Sequence, residues 1–263
     1  MSFNLLLHNV TKPFYFGIGG LGDAFLLLST FYDKIEKDTT DVVFVANDTQ
    51  AILKLSKLPM FGKISRWWIY PRSAFVANES SWDQIYRNEW CLGTGVTPKR
   101  FDYVRDWIEC GKHSVFDYYG VVRNPEWAKR RESVNPKYIT VQMFGGYDAN
   151  RISIMTIDFV ENIVKRYNDD YSILLVGSPK DSQKVCQIAG TRWVTDMADS
   201  VDRILLSHKH YSVNSWTKTL SALAGVPTVI YPSSYKTQPQ LVFGCPQDPS
   251  DYVFLNDWEF EYA

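Results

Sequence analysis

At 263 residues, 45% hydrophobic and 22% charged, the chain has the make-up of a globular protein long enough for one large or two small cores. A formal net charge of −1 excludes a global attraction to nucleic acid or anionic lipid, so such a partner would have to be met by a local patch. No run of about eighteen apolar residues occurs, so no transmembrane segment is expected; Cys91, Cys110, Cys186 and Cys245 lack metal-type spacing and follow no signal-peptide pattern, which predicts reduced thiols in the cytoplasm.

In chain order, residues 3–10 alternate loosely and predict a strand, and Phe14-Tyr-Phe leads into the turn Gly17-Ile-Gly-Gly-Leu-Gly-Asp23. Phe25, Leu28 and Phe31 recur at helical spacing behind it. A buried strand follows at 41–46, a short helix at 49–58 and a strand at 64–70 stopped by Pro71. Strand, glycine turn, helix, strand, helix, strand is the start of a parallel, doubly wound sheet.

Gly17, Gly19 and Gly22 fit the G-x-G-x-x-G fingerprint, with Asp48 placed to hold a ribose, so an NAD-dependent oxidoreductase is one alternative. Asp23 departs from it. Its charge would face a pyrophosphate bound at this turn, whereas a carboxylate at a helix N-terminus suits a general base or a plain cap.

From 63 to 105 aromatic and basic side chains interleave, including Arg66, Trp67, Trp68, Arg72, Lys99 and Arg100. That texture fits stacking on a base or sugar with cations against phosphate, and equally a core edged by solvated arginines. The overall aromatic content of 15% is weighed the same way, with ordinary packing favoured. Polarity rises between 123 and 137, which marks a linker and divides the chain into domains at 1–133 and 134–263.

The second half is more regular. Strands are predicted at 138–144, 171–176, 192–195, 210–213 and 226–231. Helices are expected to bury Ile157, Val160, Val164 and Tyr167 on one face, to run through 185–188, to bury Val201, Ile204 and Leu205, and to span 215–224. A second doubly wound sheet results, whose ligands belong beyond the carboxyl ends of its strands, near Arg151, Gly177, Met197 and Asn214 to Thr219. Asn214-Ser-Trp-Thr-Lys-Thr219 opens a helix with hydroxyls at Ser215, Thr217 and Thr219 and a cation at Lys218, a phosphate site rather than a single cap. His208 and His210 have ligand-like spacing but no third ligand nearby, so solvated or capping histidines are expected, with no metal. Cys186 and Cys245 read as buried thiols, and the acidic, aromatic 257–261 segment as a tail that packs back on the first domain.

Gly19-Gly-Leu-Gly-Asp23-Ala resembles the glycine-Asp motif that opens the lipopolysaccharide heptosyltransferase family, and Asn214 to Pro227 is similar to that family's donor-phosphate segment, with Asn214, Ser215, Trp216 and Thr219 in place of its Asp, Thr, Gly and His. The resemblance implies an α/β GT-B fold, two Rossmann-like doubly wound domains facing across a cleft. It further implies an inverting, metal-independent glycosyltransferase in which Asp23 is the catalytic base. A nucleotide-sugar would be held by Gly19, Gly20, Gly22, Arg151, Gly177, Met197, Asn214, Ser215, Thr217, Lys218 and Thr219, with no cofactor.

For the acceptor, Arg66, Trp67, Trp68, Arg72, Lys99 and Arg100 suggest a hydroxymethylated base in double-stranded DNA, as used by small phage-encoded transferases that the chain resembles in size and texture. A saccharide or lipopolysaccharide core is the alternative acceptor. An inactive nucleotide-sugar-binding module is the remaining one, because the family's His is replaced.

Overall fold

The computed structural model describes residues 7–75, 84–85, 88–94, 127, 135–145, 153–185, 188–213, 215–231 and 258–260. The chain divides into two compact units, Met1–Val121 and Val122–Ala263; the boundary expected at 133 falls outside the described residues.

In the first unit β1 (Phe14–Gly19), β2 (Asp41–Ala46), β3 (Arg66–Pro71) and β4 (Cys91–Thr94) pair in parallel in the order β3-β2-β1-β4. Helix α1 (Leu21–Phe31) links β1 to β2, and α2 (Thr49–Leu55) links β2 to β3. Every residue of β1 and β2 is buried, as expected of central strands in a sheet covered on both faces. Phe14, Phe16, Val43 and Val45 form one core with Leu7, Val10 and Phe75, and burying each Phe contributes roughly 2–3 kcal/mol.

The strand expected at 3–10 is corrected in its described part: Leu7 is helical and Val10 N–H donates to the Leu7 carbonyl at 3.0 Å, closing a turn before Pro13. The first strand instead continues through Gly17-Ile18-Gly19, because a Cβ at Gly17 would stand 2.5 Å from the Phe44 ring and 2.8 Å from Leu27. Gly17 therefore serves strand and helix packing. The second helix stops at Leu55, three residues early, and a 3₁₀ turn at Pro59–Phe61 takes over.

The second unit contains β5 (Tyr138–Gln142), a small antiparallel pair β6 (Phe144–Gly145) and β7 (Ser153–Ile154), then α3 (Ile157–Tyr167), β8 (Ser172–Val176) and α4 (Pro179–Lys184). It continues with β9 (Thr191–Val194), α5 (Met197–Leu205), β10 (Ser207–Ser212), α6 (Trp216–Leu223), β11 (Thr228–Ile230) and β12 (Trp258–Phe260). Six strands lie parallel in the order β12-β11-β10-β5-β8-β9. By rank along the chain this is sixth, fifth, fourth, first, second, third, and the first unit's order third, second, first, fourth follows the same rule. Both are the winding of a nucleotide-binding Rossmann sheet, whose ligands lie where the order reverses.

One face of the second sheet is apolar: Ile139, Val141, Tyr211 and Val229 pack on Phe159, Val160 and Ile163 of α3. Of the helical face expected there, Val160 is buried and Val164 and Tyr167 pack half-buried against the same core, with Phe159 and Ile163 completing it; Ile157, the first helical residue behind the Thr156 cap, is instead 47% exposed. The helix expected at 185–188 is likewise corrected: α4 runs earlier, over Pro179–Lys184, with Ser178 as its cap.

The strand expected at 210 starts at Ser207, so His208 as well as His210 lies on β10. The register slips between Ser207 and Lys209, which makes His208 an extra, bulged residue; it stays exposed and stacks on Tyr171 at 4.7 Å while His210 is fully buried. His210 is thus a core histidine, not a solvated one. No helix among the described residues is long and apolar enough to cross a membrane.

Candidate functional site

Two strand ends carry the chemistry. In the first unit, the chain leaves β1 at Gly19 and enters α1 with Gly20 as N-cap. Gly20 has no side chain to bond the first turn, and Asp23 supplies the missing link by accepting from Gly20 N–H through Oδ2 at 2.8 Å. Gly19 has φ +137°, and a Cβ there would lie 2.6 Å from Asp23 Cγ, so no other residue lets the half-buried carboxylate fold back over the turn. One carboxylate oxygen is engaged by the cap. Asn47 N–H donates to the Gly19 carbonyl at 2.9 Å, and Arg72 Nη1 donates to Asn47 Oδ1 at 3.1 Å, which ties the ends of β1, β2 and β3 together at one edge.

Of the predicted acceptor residues, Arg72 stands at this edge. Arg66, Trp67 and Trp68 lie at the opposite end of β3, roughly 10–17 Å away at the rise of an extended strand. Trp68 is also committed: its Nε1–H donates to the buried Asp41 Oδ2 at 2.7 Å, and Arg66 covers its ring at 4.9 Å. Asp48, the ribose candidate of a dinucleotide site, accepts from Gln50 and Ala51 N–H at 3.0 and 3.1 Å as the cap of α2. Lys99 and Arg100 lie outside the described residues, as do Arg151 and Asn214.

In the second unit the parallel sheet brings Gly177, Met197 and Ser215 to its carboxyl edge, after β8, β9 and β10. Gly177 is there for the cap of α4: a Cβ would press at 3.2 Å on both Asp181 Oδ2 and the Trp193 ring, while Asp181 accepts from Ser178 N–H at 2.9 Å and Oγ–H at 2.7 Å. Met197 opens α5 behind the Asp196 cap and is half-buried.

Ser215 caps α6 at the reversal between β5 and β10, accepting from Thr217 N–H at 3.3 Å. The four predicted phosphate residues divide here. Ser215 is half-buried at the rim, whereas Thr217, Lys218 and Thr219 are buried inside the helix packing.

Beneath α6 lies a polar seam that sequence reasoning missed. Thr140 and Gln142 of β5 alternate with the apolar residues of that strand, and His210 and Ser212 do the same on β10, so all four share the α6 face of the sheet. Thr140 Oγ1 lies 2.9 Å from His210 Nδ1, and His210 Nε2 lies 3.0 Å from Thr217 Oγ1. Thr217 Oγ1 is 3.0 Å from Ser212 Oγ and 2.8 Å from Ser215 Oγ, and those two serines are 3.1 Å apart. Gln142 donates through Nε2 to the Phe144 carbonyl, while its buried Oε1 has no hydrogen-bond partner among the described residues. Burial pushes the His210 imidazole down to about 3 against the opposing pull of the Thr140 backbone, so it is neutral at ordinary pH. The sequence signal for the seam is a polar residue at every second position in strands otherwise read as buried.

The fold so assembled is α/β with parallel sheets of Rossmann winding. No protein-family model matches the chain, and no curated protein matches its sequence. Solved structures do match. A glycosyl transferase family 9 protein from Veillonella parvula is 11% identical, with 95% of this chain and 87% of that one covered and a TM-score of 0.51. The E. coli heptosyltransferase WaaC with ADP is also 11% identical, over 95% and 93% of the two chains, at 0.53, and the same enzyme with ADP-2-deoxy-2-fluoro heptose gives 12% and 0.51. At such identities the likeness is one of fold, α/β with parallel sheets as in these glycosyltransferases.

Proposed function

We propose that the chain is an inverting glycosyltransferase that moves a sugar from a nucleoside-diphosphate donor to a saccharide hydroxyl. The observation that carries this reading is the polar rim at the strand reversal of the second sheet, where Ser215 and the first turn of α6 meet a buried, partly unsatisfied seam. An N-terminal helix turn with a hydroxyl at its cap is suited to a leaving diphosphate, because its N–H groups and dipole favour negative charge. Asp23 takes the proton of the acceptor hydroxyl, the acceptor oxygen forms the new bond to the anomeric carbon, and the bond to the diphosphate breaks with inversion. No metal is needed in this scheme, and transfer that persists in EDTA is its expected mark.

Two observations favour a saccharide over a DNA base as acceptor. The chain shares its fold with heptosyltransferases, and the aromatic cluster offered for a flipped base lies at the far end of β3 from Asp23, with Trp68 already bonded to Asp41. The acceptor in this reading is therefore of the saccharide and lipopolysaccharide-core class.

The test is a thermal-shift panel of ADP-, UDP-, GDP- and CMP-sugars on the full chain, since a ligand that binds only the folded state must raise its stability. An upward shift with at least one donor is expected, and no shift with any would overturn the reading. With the best donor, Asp23→Asn is expected to lower turnover about 100-fold while leaving donor affinity within a few-fold. Unchanged turnover would remove Asp23 from the base role.

A further inference from the structure

The hydroxyl cluster beneath α6 has more contacts than hydrogens to fill them. Five hydrogens are available: those of Thr140, Ser212, Ser215 and Thr217, and one on the neutral imidazole of His210. Ser212 is already committed, because its Oγ lies 2.8 Å from the Val213 carbonyl and a carbonyl can only accept. Thr140 is fully buried, and among the described residues the acceptor in reach of its hydroxyl is His210 Nδ1. A buried hydroxyl without an acceptor costs about 1–3 kcal/mol, so Nδ1 accepts and the imidazole hydrogen sits on Nε2.

The rest follows from that choice. Nε2–H donates to Thr217 Oγ1, which frees the Thr217 hydrogen for Ser212 or Ser215. With the Thr217 hydrogen on Ser215 Oγ, the shortest contact among the hydroxyls is filled, and the Ser215 hydrogen is left over. In the opposite tautomer Nε2 would draw the Thr217 hydrogen to itself, and the Ser215 hydrogen would turn inward to serve Ser212 or Thr217.

We propose that His210 is a positioning residue for the phosphate site: with Nε2–H donating to Thr217, it orders the hydroxyls of Thr217 and Ser212 so that Ser215 donates outward at the start of α6. The inference rests on the donor-phosphate reading of that helix. Its ligand class is a diphosphate oxygen, and His210 acts on it through two hydroxyls without touching it. Complete burial of the imidazole keeps it neutral at ordinary pH, so the order does not depend on pH there. Gln142, opposite Ser212 in the register and short of one hydrogen-bond partner, marks the same rim as a place where the fold leaves polar valence open.

The experiment measures inorganic pyrophosphate binding to the full chain by calorimetry. Ser215→Ala and His210→Asn are each expected to weaken it about tenfold, the scale of one hydrogen bond to a charged group. His210→Gln, whose amide reaches the Nε2 position, is expected to recover most of that loss, whereas the shorter Asn reaches only the Nδ1 side. In the double variant S215A/H210N the losses should not multiply, because both remove the same donated hydrogen. Multiplying losses, or folded H210N binding like wild type, would overturn the proposal. Independently of any variant, nitrogen NMR of the labelled wild-type imidazole should show Nε2 protonated and Nδ1 bare, and the reverse tautomer would overturn it. Wild type that binds no pyrophosphate overturns both this and the donor-phosphate reading. Pyrophosphate binding with the expected variant pattern, but no nucleotide-sugar binding, leaves this inference standing and removes the transferase.

Discussion

Gly19 and Gly20 are neighbours in one turn, yet only one of them is demanded by geometry. Gly19 has φ +137°, a region costly for a side chain, and its Cβ would enter the Asp23 carboxylate. Gly20 has φ −103°, and a Cβ there would stand 4.0 Å from Asp23 Oδ2, an ordinary contact. Gly19→Ala is therefore expected to cost about 1–3 kcal/mol in chemical denaturation, and Gly20→Ala less than about 1, as its backbone N–H still reaches Asp23. Equal costs would show that the carboxylate is not held against Gly19. The glycine-Asp cluster is legible in the sequence because four glycines in six residues mark a backbone that must turn sharply or admit a close neighbour. The task of each glycine is not legible there. Gly17 makes room for Phe44 and Leu27, a contact that joins residues far apart in the chain.

At the scale of elements, the strands and helices of the second unit are legible to within a few residues wherever apolar spacing is regular, as with Val201, Ile204 and Leu205 of α5. Spacing misleads where a cap or a bulge overrides it. Thr156 caps α3 and leaves Ile157 in its exposed first turn, and Ser178 starts α4 at Pro179, ahead of the Val185 and Ile188 that suggest a helix. His208 sits at a bulge, and a two-residue count across a bulge says nothing about shared direction. The helix start at Ser215 is legible too, but the sequence suggests one role for its hydroxyls and the fold gives them two. Ser215 lies at the rim while Thr217 points into the seam toward His210, a division decided by β10, which a local reading of α6 does not include. Of the aromatic and basic stretch from 63 to 105, Arg66, Trp67, Trp68 and Arg72 lie among the described residues while Lys99 and Arg100 do not, and a local reading could not tell that β3 separates Arg72 from the first three.

The two units repeat one solution: a parallel sheet that reverses strand order beside its first strand, with Asp23 after the first strand of one and Ser215 after the fourth strand of the other at the carboxyl edge. In the second sheet polarity extends from that edge into the core, and it couples stability to pH. His210 is fully buried with its pKa lowered to about 3, whereas in the unfolded chain it titrates near 6.5. Between those values the unfolded state binds more protons than the folded one, so stability rises with pH there and is lost as pH falls from about 6.5 toward 3. The slope from this one group cannot exceed about 1.4 kcal/mol per pH unit. Every other titrating group is common to wild type and His210→Gln, so the difference between the two isolates the imidazole. Denaturation of the two proteins should show a constant stability difference above about pH 7 and a steadily less favourable wild type as the pH drops from about 6.5 to 4.5. Parallel curves over that interval would mean that the histidine takes up a proton in the folded state at its ordinary pKa, and the neutral, ordered hydroxyl seam beneath α6 would then fail with it.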